Sequence, residues 1–543
     1  MFSAALKKWL LIAAGTISWS LTMVKSGLIS PYGLSFWGPN GHDGVWHISL
    51  INSLAKGSLS MPIFAGETIK NYHLGFDVLL AAIHRLTTIP ASILYFQIFP
   101  PVLAFLTGWL LYHFIKKITD SDSSAFWAVF FTYFSGSLGW IVGKGESAFW
   151  AQQSLSTLVN PPYALSLVLI ILGLIFLEKR KIIPAIIVFA LLPQIKIYAG
   201  ILAFFGLFIA SLKRPEFFKV LIPSAVLSAV LFFPLNTDSA NLLVFKPFWF
   251  LDTLMGEDRL GWPRFYSALS TYKQGLIYQK LIPAYLFSLA IFVVGNFGVR
   301  VLGLFAYPRF TAKNRWVMLF LFSGSLLGLI FPMLFLQSGT TWNTVQFFYY
   351  SQFFFGIFAG LAFSYMISRL ANIPRIIVVV FLLAFLAPSV RDTWVHYLPA
   401  RPPAVLPHSE IAALELLSHQ PRGTVLVPAF NKYAAAEAQK NPPRPLYLYE
   451  SSAYVSAFSG HPVYLEDEVN LSIVGFDWLP RRLLVESFFT GKDLPAARKF
   501  TTDNSIKYIY LPEEYPASFT SYLTELNFEK YFQNEKVSLW RAK

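Results

Sequence analysis

The sequence contains no cysteine. That excludes disulfides, thiolate nucleophiles and cysteine-ligated metals. Charge is scarce as well: only 13% of the 543 residues are Asp, Glu, Lys or Arg, against about a quarter in a soluble domain. Acidic side chains are the rarer kind, 29 against 43 basic ones, so each carboxylate near an apolar run stands out. What fills the chain instead is apolar. It is 55% hydrophobic with 53 Phe and 15 Trp, and its mean hydropathy is +0.52. With many apolar runs of bilayer-spanning length, this composition specifies a polytopic α-helical membrane protein.

The net charge of +14 is unevenly placed. From Ala400 onward 15 basic residues stand against 16 acidic ones, so the excess belongs upstream, in short loops between apolar segments. Nucleic-acid binding explains that distribution poorly; membrane topology explains it well. Lys7 and Lys8 precede an apolar segment at about 9–24, which reads as an uncleaved anchor because no clear small-x-small cleavage site follows. Residues 25–90 read as a first outer loop, with a helix over 43–56 and a second over 72–86 lying on, or dipping into, the membrane surface. Further spans are expected from 92 to 391, about 11 in all. Lys116-Lys117, Lys179-Arg180-Lys181 and Lys213-Arg214 then fall on the inner side, provided that 72–86 does not span. The N-terminus is expected to be cytoplasmic.

These patterns divide the chain into a transmembrane domain over 1–395, a proline-rich linker over 396–407 and an extracytoplasmic α/β domain over 408–543. In the last, 409–418 reads as a helix capped by Ser409. Segments 424–427, 446–449, 508–511 and 537–540 read as strands.

The stretch Gly41-His42-Asp43-Gly44-Val45-Trp46-His47 is the most informative. It puts a carboxylate and two imidazoles just past the first apolar segment, and Asp43 and His47 are four residues apart, on one helix face. An aspartate before an apolar-periodic run is also a common helix start. Glu146, in Gly143-Lys144-Gly145-Glu146, lies at the outer end of a span, where it is either a solvated partner of Lys144 or an assisting acid. Lys196, in Leu192-Pro193-Gln194-Ile195-Lys196, sits between two short apolar runs. There a lysine either snorkels to the headgroups or holds a phosphate. Arg259 and Arg264 share a loop with Trp262 and Tyr266, a mixture that suits a lipid phosphate and a sugar and equally an interfacial belt. His42, His47 and His73 are candidate substrate or metal contacts, and otherwise polar interfacial residues. Gln346 and Tyr349 open a span and either line a cavity or satisfy one another between helices.

The layout resembles the GT-C superfamily of membrane glycosyltransferases, protein mannosyltransferases among them. The resemblance is carried by the anchor ending near Val24, by residues 41–47, by Asn71-Tyr72-His73-Leu74-Gly75-Phe76-Asp77, by Glu146 and by the 192–198 stretch. It implies a GT-C-like fold and transfer of a sugar from a polyprenyl-phosphate carrier to a glycan, lipid or protein acceptor on the outer face, with inversion. It implies that Asp43 is the base and Glu146 an assisting acid. Relatives differ in their need for a divalent cation, so the metal stays unassigned. Tyr454-Val455-Ser456-Ala457-Phe458-Ser459-Gly460-His461-Pro462-Val463-Tyr464 resembles a segment of outer domains in related membrane proteins. Two other classes remain open: a transporter or lipid flippase, and a non-catalytic envelope scaffold. No internal repeat is evident, and the polar residues gather toward one face rather than the midplane, which favours the enzyme.

Overall fold

Long apolar runs have only one way to satisfy their backbone in lipid, which is to coil into helices. The computed structural model describes residues 3–143, 149, 160–236, 243–257, 259–306, 314–338, 341–491 and 493–543. Among these, eight helices are long and apolar enough to cross a membrane: Ala91–Thr119, Asp122–Val142, Pro161–Glu178, Pro215–Leu235, Tyr278–Phe305, Arg315–Leu334, Asn343–Ser368 and Asn372–Tyr397. Two shorter apolar helices, Ile182–Ile195 and Ile197–Lys213, lie between them in sequence. Ala4–Val24 is a further helix. The chain is a multi-pass membrane protein.

Two compact units form. Met1–Thr22, Phe99–Pro234 and Asn241–Tyr397 make a helical unit; Met23–Ile98, Leu235–Ala240 and Leu398–Lys543 make a mixed one. In the helical unit, close approach replaces hydrophobic drive, as bilayer helices require. A Cβ on Gly360 would lie 2.4 Å from Ala128 Cα. Aromatic edges fill the wider gaps, with the Trp127 and Phe363 rings 4.6 Å apart and nearly perpendicular. Buried Arg300 donates to Ser135 O at 2.5 Å, beyond the last turn of Asp122–Phe134. A cation there answers a carbonyl that the helix end leaves unbonded.

The mixed unit joins segments far apart in sequence. A hairpin of Leu28–Ser30 and Gly33–Phe36 extends into a four-stranded sheet. Leu34, Ser35 and Phe36 face Leu406, Val405 and Ala404 in antiparallel register, and the Ala404–Leu406 strand runs parallel to Arg444–Pro445. A second sheet has the order Thr424–Leu426, Ile506–Leu511, Ser538–Ala542, Phe528–Gln533, its first pair parallel and the others antiparallel.

Two local expectations need correction. The helix expected from Ser409 is His408–Ser418, preceded by Pro407 with no side-chain cap; Ser409 falls inside the first turn. The expected strand at 446–449 is a 3-10 turn, Leu446–Leu448. Pro445 ends the preceding strand and brings no N–H with which to continue a ladder.

The helix Asp43–Ala55 lies against Tyr454–Ser459. Ser49 Oγ meets Ser456 Oγ at 2.9 Å, Asn52 donates to Ala457 O at 2.8 Å and Lys56 to Gly460 O at 2.8 Å. Its N-terminal end depends on glycine. A Cβ on Gly41 would lie 2.8 Å from Ala404 Cβ, and one on Gly44 would lie 2.5 Å from the Phe96 ring. Gly44→Ala is therefore expected to lower stability by about 1–3 kcal/mol, the usual cost of overpacking. Thermal unfolding in detergent checks this; an unchanged transition would mean that the Phe96 ring gives way freely.

Candidate active site

The loop after the first helix is drawn tight before Asp43. Buried Asn40 donates to Ser26 Oγ at 3.0 Å and to Trp37 O at 2.8 Å. This fixes the 3-10 turn Gly38–Gly41 and hands the chain to the helix at Asp43. His42 is the N-terminal cap residue and makes no side-chain cap bond, so its imidazole is left for other partners. Nδ1 lies 3.0 Å from Asp43 Oδ1, and Nε2 lies 3.0 Å from Asp467 Oδ1. The result is a carboxylate–imidazole–carboxylate chain with graded exposure. The Asp467 side chain is fully buried, that of His42 is 7% exposed and that of Asp43 is 42% exposed.

Asp467 is held from behind. It has a left-handed backbone (φ 52°) and caps the helix Glu468–Ile473 by accepting from Asn470 N at 3.0 Å. Its Oδ2 accepts from Asn470 Nδ2 at 2.8 Å. Aspartate tolerates this conformation better than most residues because its short side chain bonds locally. The neighbouring Glu468 receives Arg482 Nη1 on both oxygens, at 2.6 and 2.7 Å.

Burial opposes a charge on His42, but Asp467 and Asp43 outweigh it, and its pKa is raised well above the ordinary imidazole value. The imidazolium thus survives at neutral pH between two carboxylates. Glu450 lies in the same field. Burial raises its pKa, His42 opposes that, and Asp43 and Asp467 add to it. Burial likewise raises Glu466 to about 8, against hydrogen bonds from Val455 N and Ser456 N.

His47 does not join Asp43, although the two share a helix. It is buried, its Nδ1 bonds Asp77 Oδ1 at 2.7 Å, and its ring stacks on Tyr95 at 5.3 Å. His73 is buried in the same unit beside the Tyr72 ring, 4.6 Å away. Among the described residues, no group of three or more His, Asp or Glu is arranged to hold a metal ion.

Lys196, Arg259, Arg264 and Gln346 belong to the helical unit. Lys196 is the single extended residue (φ −158°, ψ 113°) between two short helices. It is buried, and its Nζ reaches Asn160 Oδ1 at 3.2 Å. Arg259 is half-buried in a turn bonded to Gly256 O, and Arg264 is exposed on the helix Pro263–Gln274. Gln346 donates to Asn343 Oδ1 at 2.9 Å. Glu146 lies outside the described residues.

No protein-family model matches the chain, and no curated protein matches it in sequence. Solved structures do match in shape. The oligosaccharyltransferase of Archaeoglobus fulgidus in its apo form superposes with a TM-score of 0.52 at 11% identity, over 93% of this chain and 69% of that one. Arabinofuranosyltransferase AftD from Mycobacteria superposes with a TM-score of 0.51 at 13% identity, over 98% of this chain and 40% of that one. The fold is of the GT-C type. At such identities the likeness is one of architecture.

In this GT-C-type chain the sequence reading missed Asp467, Asn470 and Glu450. The only signal was a run of three acids, Glu466-Asp467-Glu468, after an apolar stretch, and such a run reads equally well as a solvated turn.

The chain makes a prediction about pH. The folded value of His42 is raised, so its contribution is complete below about pH 6.5 and is lost as the pH rises through the folded value. Asp43, Asp467 and Glu450 are the titratable groups facing it. Thermal unfolding should come earlier as the pH rises above about 6.5, and His42→Gln should flatten that decline. Parallel declines in the two proteins would show that the imidazolium is not held.

Proposed function

We propose that the protein is a membrane glycosyltransferase that moves a sugar from a polyprenyl-phosphate carrier to an acceptor on the outer face of the membrane. The observation that carries this reading is the placement of Asp43. It is the solvent-facing end of an otherwise buried chain through His42 to Asp467, in a fold shared with two glycosyltransferases.

In the proposed reaction the acceptor hydroxyl attacks the anomeric carbon. The bond from that carbon to the phosphate oxygen breaks, and the carrier phosphate leaves with the electron pair. Asp43 takes the hydroxyl proton. His42 holds one oxygen of Asp43 and so orients the carboxylate, as a paired partner orients a general base. Direct displacement with one base inverts the anomeric centre. Lys196, with Arg259 or Arg264, is assigned to the leaving phosphate, whose developing charge a cation stabilises. Glu146 is assigned as assisting acid, and His47 and His73 support the wall of the site. A divalent cation stays unassigned.

Two measurements test this. With a polyprenyl-phosphate sugar as donor, Asp43→Asn should lower turnover on the order of 10²–10⁴-fold; undiminished transfer would remove Asp43 from the reaction. Topology is tested apart from activity. The chain has no cysteine, so Thr68→Cys, at an exposed position of the mixed unit, gives a unique label site. An impermeant maleimide should modify it in intact cells. Labelling only after lysis would place the loop on the cytoplasmic side and sink the proposal.

A further inference from the structure

A cavity of about 140 Å³ lies wholly within the C-terminal part of the mixed unit. An engineered cavity of about 150 Å³ takes one six-membered ring, so this space has the size of one ring. Its walls are not those of a dry core. Tyr447, Glu450, Ser452, Tyr454, Asp467 and Glu468 are among the residues that line it.

Two features say what such a space would hold. Ser452 is 4% exposed, and its hydroxyl has no hydrogen-bond partner although it belongs to the cavity wall. A buried hydroxyl in that state calls for a polar ligand. The acids, for their part, are not arranged as a cation cage. Arg482 answers Glu468, and His42 and Asn470 answer Asp467. Acceptors, a hydroxyl and aromatic faces around one ring-sized space match a polyhydroxylated ring, polar at its edge and apolar on its faces.

We propose that this cavity is a saccharide subsite that takes one sugar residue of the acceptor, which makes the acceptor a glycan rather than a protein or a lipid. The assignment to the acceptor rests on the glycosyltransferase reading; the binding of a sugar ring does not. Asp467 links the two, because it forms part of the cavity wall and bonds the imidazole that holds Asp43.

The test uses the full-length protein in lipid nanodiscs. Saturation-transfer NMR is recorded with methyl α-D-mannopyranoside, methyl β-D-galactopyranoside and methyl α-D-arabinofuranoside. At least one should bind. Ser452→Leu, which fills the cavity, should weaken that binding by about tenfold or more. Tyr447→Ala, at a half-buried wall position, should weaken it as well and decides the matter if the leucine variant fails to fold. No binding of any glycoside to the wild type, or undiminished binding to both variants, overturns the subsite. With a lipid-linked donor, Ser452→Leu should lose transfer to an oligosaccharide. Equal transfer to a peptide or a lipid by wild type and variant overturns the glycan assignment. A wild type that neither transfers nor hydrolyses sinks the glycosyltransferase reading, while the NMR result still decides whether the cavity binds sugar.

Discussion

A single imidazole joins the two halves of the mixed unit. His42 comes from the loop after the first helix, and Asp467 lies 425 residues further along the chain. A buried cation is costly unless both of its N–H groups meet acceptors. Here they meet Asp43 on one side and Asp467 on the other. Neither half alone supplies both acceptors. Asp467 is itself fixed by the helix it caps, and Arg482 holds the next residue of that helix. Rigidity thus passes from an ion pair through a helix cap to an imidazole and then to a carboxylate open to solvent.

The surrounding contacts serve the same junction. Gly41 and Gly44 let the backbone approach Ala404 and the Phe96 ring at distances that a side chain would forbid. Ser49 and Asn52 then tie the Asp43 helix to the 454–459 helix through hydrogen bonds rather than bulk. The strand Gly33–Phe36 closes the arrangement by pairing with Ala404–Leu406. In the proposed reaction the C-terminal part is therefore more than a cover. It supplies the group that orients the base.

Much of the local structure was legible in the residues. The helix over 43–56 appears as Asp43–Ala55, and the helix over 72–86 as Gly75–Thr87. The two short apolar helices meet at Lys196 as their lengths suggested. The errors were at ends, where Pro407 and Pro445 overrode the expected cap and strand. His47 was legible as a polar residue on the face of Asp43, yet burial drew it to Asp77. Helix periodicity says which way a side chain points and not what waits there.

By itself the sequence determined that this is a multi-pass helical membrane protein and that one aspartate follows its first apolar segment. Those properties follow from composition, run length and spacing, which are local and additive. Only the tertiary structure decided which carboxylate answers His42, that a ring-sized polar cavity forms beside it, and that a hairpin near residue 30 shares a sheet with strands beyond residue 400. These depend on contacts between segments hundreds of residues apart, and nothing within a window of sequence encodes a partner that far away.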